Sequence, residues 1–203
     1  MKNRILIIID NIIQYDRIKK IINEKKISNT NFVFMHSNIK SSIWEHDDFK
    51  GKKKIIDVKA QLDWIINNFN MIFSVHCFQF FPKKLVNSIP CINLHPGYNP
   101  INRGWYPQVF AIYYDLPIGA TMHMMDEKLD HGPIIDQILI EKYLWDTSGS
   151  LYERVLNAEI KLFEKNIINI INNKFSLNNI NNNKGNLFLK KDFNDLCEID
   201  LNK

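Results

Sequence analysis

Apolar residues in this chain fall into short unbroken runs, separated by stretches in which they return every three or four positions. Residues 5–9, Ile-Leu-Ile-Ile-Ile, form such a run and predict a strand buried on both faces of a parallel sheet. The run stops at Asp10-Asn11, and Ile18, Ile21 and Ile22 then predict a helix over 17–26. A second strand is expected at 32–35, closing on His36-Ser37-Asn38, and the polar stretch 37–54 reads as a loop. Val58, Leu62, Ile65, Ile66 and Phe69 share one face of a helix over 58–69. Residues 71–75 form a third buried strand that ends at His76, a short helical piece covers 82–87, and 91–94 is a fourth strand. Strands alternating with helices predict an α/β fold: a Rossmann-like, mostly parallel sheet with flanking helices. Ligands of such sheets bind beyond the carboxyl ends of the strands, where His76, Asn93 and His95 fall.

Beyond residue 100 the pattern changes. Residues 118–125 and 133–141 read as two strands paired with each other. Ser150-Leu151-Tyr152-Glu153 has capping-box spacing and predicts a long helix over 151–173, with Leu156, Ile160, Phe163, Ile167, Ile170 and Ile171 on its apolar face. An Asn-rich loop is expected at 178–183, then a short strand and a final turn over 185–201. The organisation expected is a catalytic domain at 1–175 and a C-terminal extension at 176–203, packed on the domain or on a partner subunit.

Composition narrows the function. The net charge of +4 comes from scattered lysines, and Lys52-Lys53-Lys54 reads as a solvated loop, so no nucleic acid is expected as a partner. Cys77, Cys91 and Cys197 lack the spacing of a disulfide framework or of metal ligands. That pattern suits the cytoplasm and a site without metal. No apolar run approaches the ~20 residues of a membrane span, and no signal peptide opens the chain. The first turn, Asp10-Asn11-Ile12-Ile13-Gln14, has no glycine, so neither the dinucleotide fingerprint nor a phosphate-cradling loop is present. Asn11 remains a candidate ligand contact or a plain turn residue.

Residues 91–136 concentrate the chemistry. Asn93 and His95 are two apart on a strand and point the same way. Two such donors converging on one point stabilise a developing oxyanion, a contribution of ~3 kcal/mol per donor. Asp130 lies beyond the next strand and reaches His95 only if the loop returns; a carboxylate there orients the imidazole and takes a proton. No Ser or Cys is set up as a nucleophile, so the attacking atom belongs to the substrate. Spacing alone leaves open the alternative of a strand-end histidine and an unrelated turn aspartate.

Asn93-Leu94-His95-Pro96 and Met124-Met125-Asp126-Glu127-Lys128-Leu129-Asp130-His131-Gly132-Pro133 resemble the folate-dependent formyltransferases. The loop Asn99-Pro100-Ile101-Asn102-Arg103-Gly104-Trp105-Tyr106-Pro107-Gln108, together with His76-Cys77-Phe78-Gln79-Phe80-Phe81-Pro82, is similar to the sugar N-formyltransferase branch that acts on dTDP-4-amino-4,6-dideoxyhexoses. The resemblance implies transfer of a formyl group from 10-formyl-tetrahydrofolate to a sugar amine, with Asn93, His95 and Asp130 as the catalytic trio. It implies folate contacts from Cys77, Phe78, Gln79, Phe80, Phe81, His123, Met124, Met125, Asp126 and Asp130. Contacts to the nucleotide-sugar would come from Asn11, His76, Asn99, Asn102, Arg103, Gly104, Trp105, Tyr106 and Gln108. A homodimer serving bacterial surface polysaccharide is the setting implied. The alternatives are another amine as acceptor, a hydrolase that releases formate, and a folate-binding module without catalysis.

Overall fold

The computed structural model describes residues 3–51, 54–179 and 184–198. Lys52 and Lys53, residues 180–183 of the Asn-rich loop and residues 199–201 of the expected final turn lie outside them. Strand β1 (Asn3–Ile9) is central. Ile5, Ile7 and Ile9 pack on Tyr15 and Ile18 of α1 (Ile12–Glu24) and on Leu162, Phe163 and Ile167 of α5 (Ser148–Ile171). Leu6 and Ile8 face the opposite layer, where Ile65 of α2 (Leu62–Asn68) and Leu85 of α3 (Lys83–Ser88) complete a second core. Both faces of β1 are therefore dry, which explains its unbroken apolar run. Each such side chain contributes about 1.5–3 kcal/mol on burial.

The sheet order is β3-β2-β1-β4-β5-β7-β8. Strands β3 (Ile55–Ile56), β2 (Thr30–Ser37), β1, β4 (Met71–Val75) and β5 (Cys91–His95) run parallel. Strand β7 (Ile118–Met124) is antiparallel to β5 and to β8 (Ile134–Ile140). A separate parallel pair joins β6 (Arg103–Gly104) to β9 (Leu187–Phe188), flanked by α4 (Pro107–Tyr113) and α6 (Lys190–Cys197).

Caps move several expected boundaries. Helix α1 starts at Ile12 rather than 17, because the Asn11 side chain accepts a hydrogen bond from the Gln14 amide at 3.1 Å. Helix α2 starts at Leu62 rather than 58, because the Asp57 carboxylate accepts from the amides of Lys59 and Ala60 and holds the preceding residues in turns. Helix α5 is capped by Thr147 and Ser150, whose side chains and amides exchange hydrogen bonds at 3.1 Å, so the capping box does not run from Ser150 to Glu153. The stretch 37–54 is more than a loop: a 3-10 turn at Ser42–Glu45 buries Ile43 in the first core, and Phe49 follows it there.

Candidate active site

The antiparallel β5–β7 ladder sets Asn93 opposite His123 and His95 opposite Thr121. The loop after β7 then returns Asp130 to both. Asn93 Nδ2 donates to Asp130 Oδ1 at 2.9 Å, and the Gly104 amide donates to Asp130 Oδ2 at 3.0 Å. His95 Nδ1 lies 3.5 Å from Oδ2 and His123 Nε2 lies 3.5 Å from Oδ1. The loop return that spacing left open thus exists. Asp130 is 7% exposed. Burial alone would raise its pKa; the facing His95 and His123 rings and the Gly104 amide override it and hold the carboxyl well below the usual carboxylate range. The site therefore holds a nearly dry carboxyl that favours its charged form.

Each ring has one nitrogen committed. His95 Nε2 donates to the Asn102 carbonyl at 2.8 Å, and His123 Nδ1 donates to the Met124 carbonyl at 2.8 Å. These carbonyls fix the ring orientations, and the opposite nitrogens turn to Asp130. The His95–Asn102 bond crosses Gly97, where a Cβ would meet Asn102 O and His95 Nε2 at 2.4 Å each. Asn93 Nδ2 also lies 3.4 Å from His123 Nε2. His123→Ala removes one of the two rings facing Asp130. It should lower kcat about tenfold while leaving the fold intact, as read from steady-state rates beside a urea midpoint.

The loop is tied down from within. Asn99 Nδ2 donates to the Asp130 carbonyl at 2.9 Å, and the Asn99 amide donates to Thr121 Oγ1 at 3.1 Å. Asn99 and Asn102 are 1% and 0% exposed, so both serve the loop, and neither presents its side chain outward. The Asn99–Pro100 peptide is cis. Gly104 has φ +93 and packs on the Phe188 carbonyl, where any Cβ would sit 2.0 Å away. Trp105 stacks parallel to Phe78 with centroids 6.0 Å apart, and Lys190 Nζ lies 5.6 Å over the Trp105 ring. Tyr106, at φ +50, precedes α4 and packs on Phe193 at 4.1 Å; Gln108 is buried in the first turn of that helix. Arg103 lies in β6, partly exposed.

The 77–81 segment divides by role. Phe78 and Phe80 are 40% and 62% exposed, whereas Phe81 is core and packs with Cys77 and Met125. Gln79 accepts from the Val58 amide and donates to the Ile56 carbonyl, fastening the segment to β3. The Met125 amide donates to the Cys91 carbonyl, and the Asp126 carboxylate binds the Lys128 amide and His131 Nδ1. Met124 packs against the first core from the end of β7. Burial pushes the Cys77 and Cys91 thiols up to about 12, with the Asp10 charge adding to Cys77, so neither is a nucleophile at neutral pH.

Two features escape sequence reasoning. Buried Asp10 joins the Ser37 amide (2.9 Å) to the Phe78 amide (3.0 Å) and so positions the exposed Phe78. At the ends of β1 and β4, His76 Nε2 donates to Glu159 Oε2 at 2.8 Å, Gln14 Nε2 donates to the same oxygen at 2.7 Å, and the Tyr152 hydroxyl meets His76 Nδ1 at 3.2 Å. Asn11 Nδ2 donates to the Tyr152 hydroxyl at 3.4 Å. His76 has φ +53, which costs a residue with a Cβ about 1–2 kcal/mol. Burial, with the Glu159 charge, pushes the Tyr152 hydroxyl up to about 12, so it remains protonated. The one sequence signal for Glu159 is a carboxylate on the stripe between Leu156 and Phe163.

A mostly parallel α/β sheet thus brings two polar side chains and a buried carboxylate together at the end of β5. Residues 14–167 match the Formyl transferase family, and the chain belongs to it. It is 41% identical over 147 residues to a dTDP-4-amino-4,6-dideoxyglucose formyltransferase of Mycobacterium bovis and to its Mycobacterium tuberculosis counterpart, a match covering 72% of this chain and 62% of theirs. The chain thus spans under two thirds of those relatives. A 4-N formyltransferase from Francisella tularensis superimposes with a TM-score of 0.87 at 40% identity, covering 100% of this chain and 82% of that one. A sugar N-formyltransferase from a Shewanella species gives 0.87 at 33% identity, covering 100% and 83%.

Proposed function

We propose that this protein transfers a formyl group from 10-formyl-tetrahydrofolate to the amine of a dTDP-linked 4-amino-4,6-dideoxyhexose of glucose configuration. The observation that carries the reading is the convergence of Asn93, His95 and Asp130 beside the aromatic loop at 103–106. The names of the 41%- and 40%-identical relatives support both the reaction and the 4-amino position. The exposed rings of Phe78 and Phe80, on a segment that packs with Met125 of the 123–130 loop, fit a flat pteridine. When bound, the folate supplies the activated formyl group.

The acceptor amine forms the new C–N bond to the formyl carbon, and the bond from that carbon to the folate nitrogen breaks. Charge developing on the formyl oxygen meets the second N–H of Asn93 and the His95 ring. His95 reaches it by releasing the Asn102 carbonyl, so the 97–106 loop takes part. Asp130 is too weak a base to keep a proton; it holds His95 by charge and passes the amine proton to water or to the leaving nitrogen. We extend the reading to a cytoplasmic homodimer that supplies an N-formylated sugar for a bacterial surface polysaccharide.

The test is a turnover assay with 10-formyl-tetrahydrofolate and a panel: dTDP-4-amino and dTDP-3-amino dideoxyhexoses, a UDP-4-amino sugar, and no acceptor. The dTDP-4-amino sugar should exceed the others by tenfold or more, since a misplaced amine loses alignment with the formyl carbon. Turnover on another acceptor would move the error to the sugar-facing loop, and formate release without an acceptor would make the protein a hydrolase.

A further inference from the structure

His95 belongs to a polar row that crosses the end of the sheet. The β5–β7 register sets it opposite Thr121, and the β7–β8 register sets Thr121 opposite Gln137. Residues opposite one another share a face of the sheet, so these side chains stand side by side. Thr121 is 0% exposed. A buried hydroxyl–amide pair contributes little net stability over apolar residues of the same shape, so folding alone does not call for one here. Every hydrogen-bonding capacity of the Thr121 hydroxyl is used. Oγ1 donates to the Gly97 carbonyl at 2.7 Å and accepts from the Asn99 amide at 3.1 Å and from Gln137 Nε2 at 2.9 Å. Gln137 Nε2 spends its other N–H on the Asn99 carbonyl at 2.8 Å. The pair therefore grips the backbone on both sides of Tyr98.

What that backbone carries is the catalytic pair. Gly97 lies against the His95–Asn102 bond, so close that a Cβ would strike both partners. The Asn99 side chain donates to the Asp130 carbonyl at 2.9 Å. Asp130 itself sits in left-handed backbone at φ +47, a conformation that persists only where the surroundings impose it. The aromatic stretch is fastened elsewhere: Arg103 and Gly104 pair with β9, and the Trp105 amide donates to the Phe188 carbonyl at 2.8 Å. Residues 97–99 and 103–106 thus have separate supports.

We propose that Thr121 and Gln137 are positioning residues for formyl transfer, which set the places of His95 and Asp130 through the backbone of residues 97–99. Their kinetic effect rests on the formyl-transfer reading; their effect on the His95 ring does not. Neither residue gives or takes a proton in the reaction. Their work is to keep the ring and the carboxylate in one register while the aromatic stretch responds to the acceptor.

The test compares Thr121→Val, Thr121→Ser, Gln137→Leu and the Val/Leu double variant in the full chain. Steady-state kinetics are run well below each Tm, beside nitrogen-edited NMR of the imidazole rings. Thr121→Val keeps the shape and removes the hydroxyl. Its kcat should fall roughly 10- to 100-fold, with KM for the folate donor and the amino sugar held within about threefold, because the aromatic stretch keeps its own support. Thr121→Ser restores a hydroxyl and should recover most of the rate. Gln137→Leu should show the same loss of kcat in a smaller degree. The double variant should be within about threefold of Thr121→Val, since both side chains act at one node. In the spectra of Thr121→Val the His95 ring signals should shift, while those of His36 on β2 stay in place. A lower Tm with kcat unchanged, a rise in KM at constant kcat, or unmoved His95 signals would overturn the positioning role. If the parent chain turns over no acceptor, the sugar reading falls, and the His95 signals still decide the role of Thr121.

Discussion

Asp130→Asn should lower kcat/KM by ~10³-fold or more, with ligand binding largely preserved, because it removes the charge that two rings and two donors are arranged around. The amide has one acceptor where the carboxylate has two. If its oxygen takes Asn93 Nδ2, its NH₂ faces the Gly104 N–H, donor against donor; the reverse orientation clashes with Asn93. His95 loses the group facing Nδ1 in either case. The stability effect has a defined sign. A carboxyl whose pKa is depressed on folding contributes stability that is fully present above its unfolded value, ~3.9, and is lost as pH falls through the folded one. The difference in urea midpoint between the parent chain and the Asp130→Asn variant should thus be constant from about pH 5 to 8 and shrink below about pH 4. A variant with wild-type turnover, or a stability difference that grows on acidification, would remove Asp130 from the role given to it.

The second large effect is expected at Gly97, where no side chain exists to be lost. In Gly97→Ala, the added Cβ would stand 2.4 Å from the Asn102 carbonyl oxygen and from His95 Nε2, and one of them must move. The Gly97 carbonyl is itself held by Thr121 Oγ1 at 2.7 Å, so the backbone cannot simply yield. A shift of about 1 Å at His95 is enough to cost ~10²-fold in kcat/KM. Overpacking of this kind costs about 1–3 kcal/mol, or a Tm lower by roughly 3–10 °C at this chain length. A variant within threefold of the parent rate would mean that the His95–Asn102 contact is incidental to turnover.

Much of this was readable beforehand, for physical reasons that differ by element. Strands β1 and β4 are buried on both faces, so their residues are almost all apolar, without alternation, and stand out. Asn93 and His95 were readable as a pair because a strand sets its side-chain direction every second residue. The start of α1 was not, because a cap is a single Asn that looks like any other polar turn residue. Ile43 was hidden for a related reason: one buried side chain in a polar stretch has no period. The contact of His123 with Asp130 depends on the antiparallel register of β5 and β7, a long-range pairing that no local window contains. Glu159 was missed because a helical stripe is recognised by its apolar members, and a carboxylate among them looks like an interruption. Its meaning comes only from His76, which the fold brings from a different strand.

The pairing of β6 with β9 bears on the order in which the molecule is made. Gly104, whose amide completes the Asp130 carboxylate, is held by a strand that is translated more than eighty positions later. Every other part of the trio exists once β8 has emerged. A nascent chain can therefore build its sheet and both cores early, but the 103–104 stretch of the loop lacks its β9 partner until residues 187–188 leave the ribosome. In translation order, then, Gly104 gains its β9 support only after strands β1 to β8 have been made.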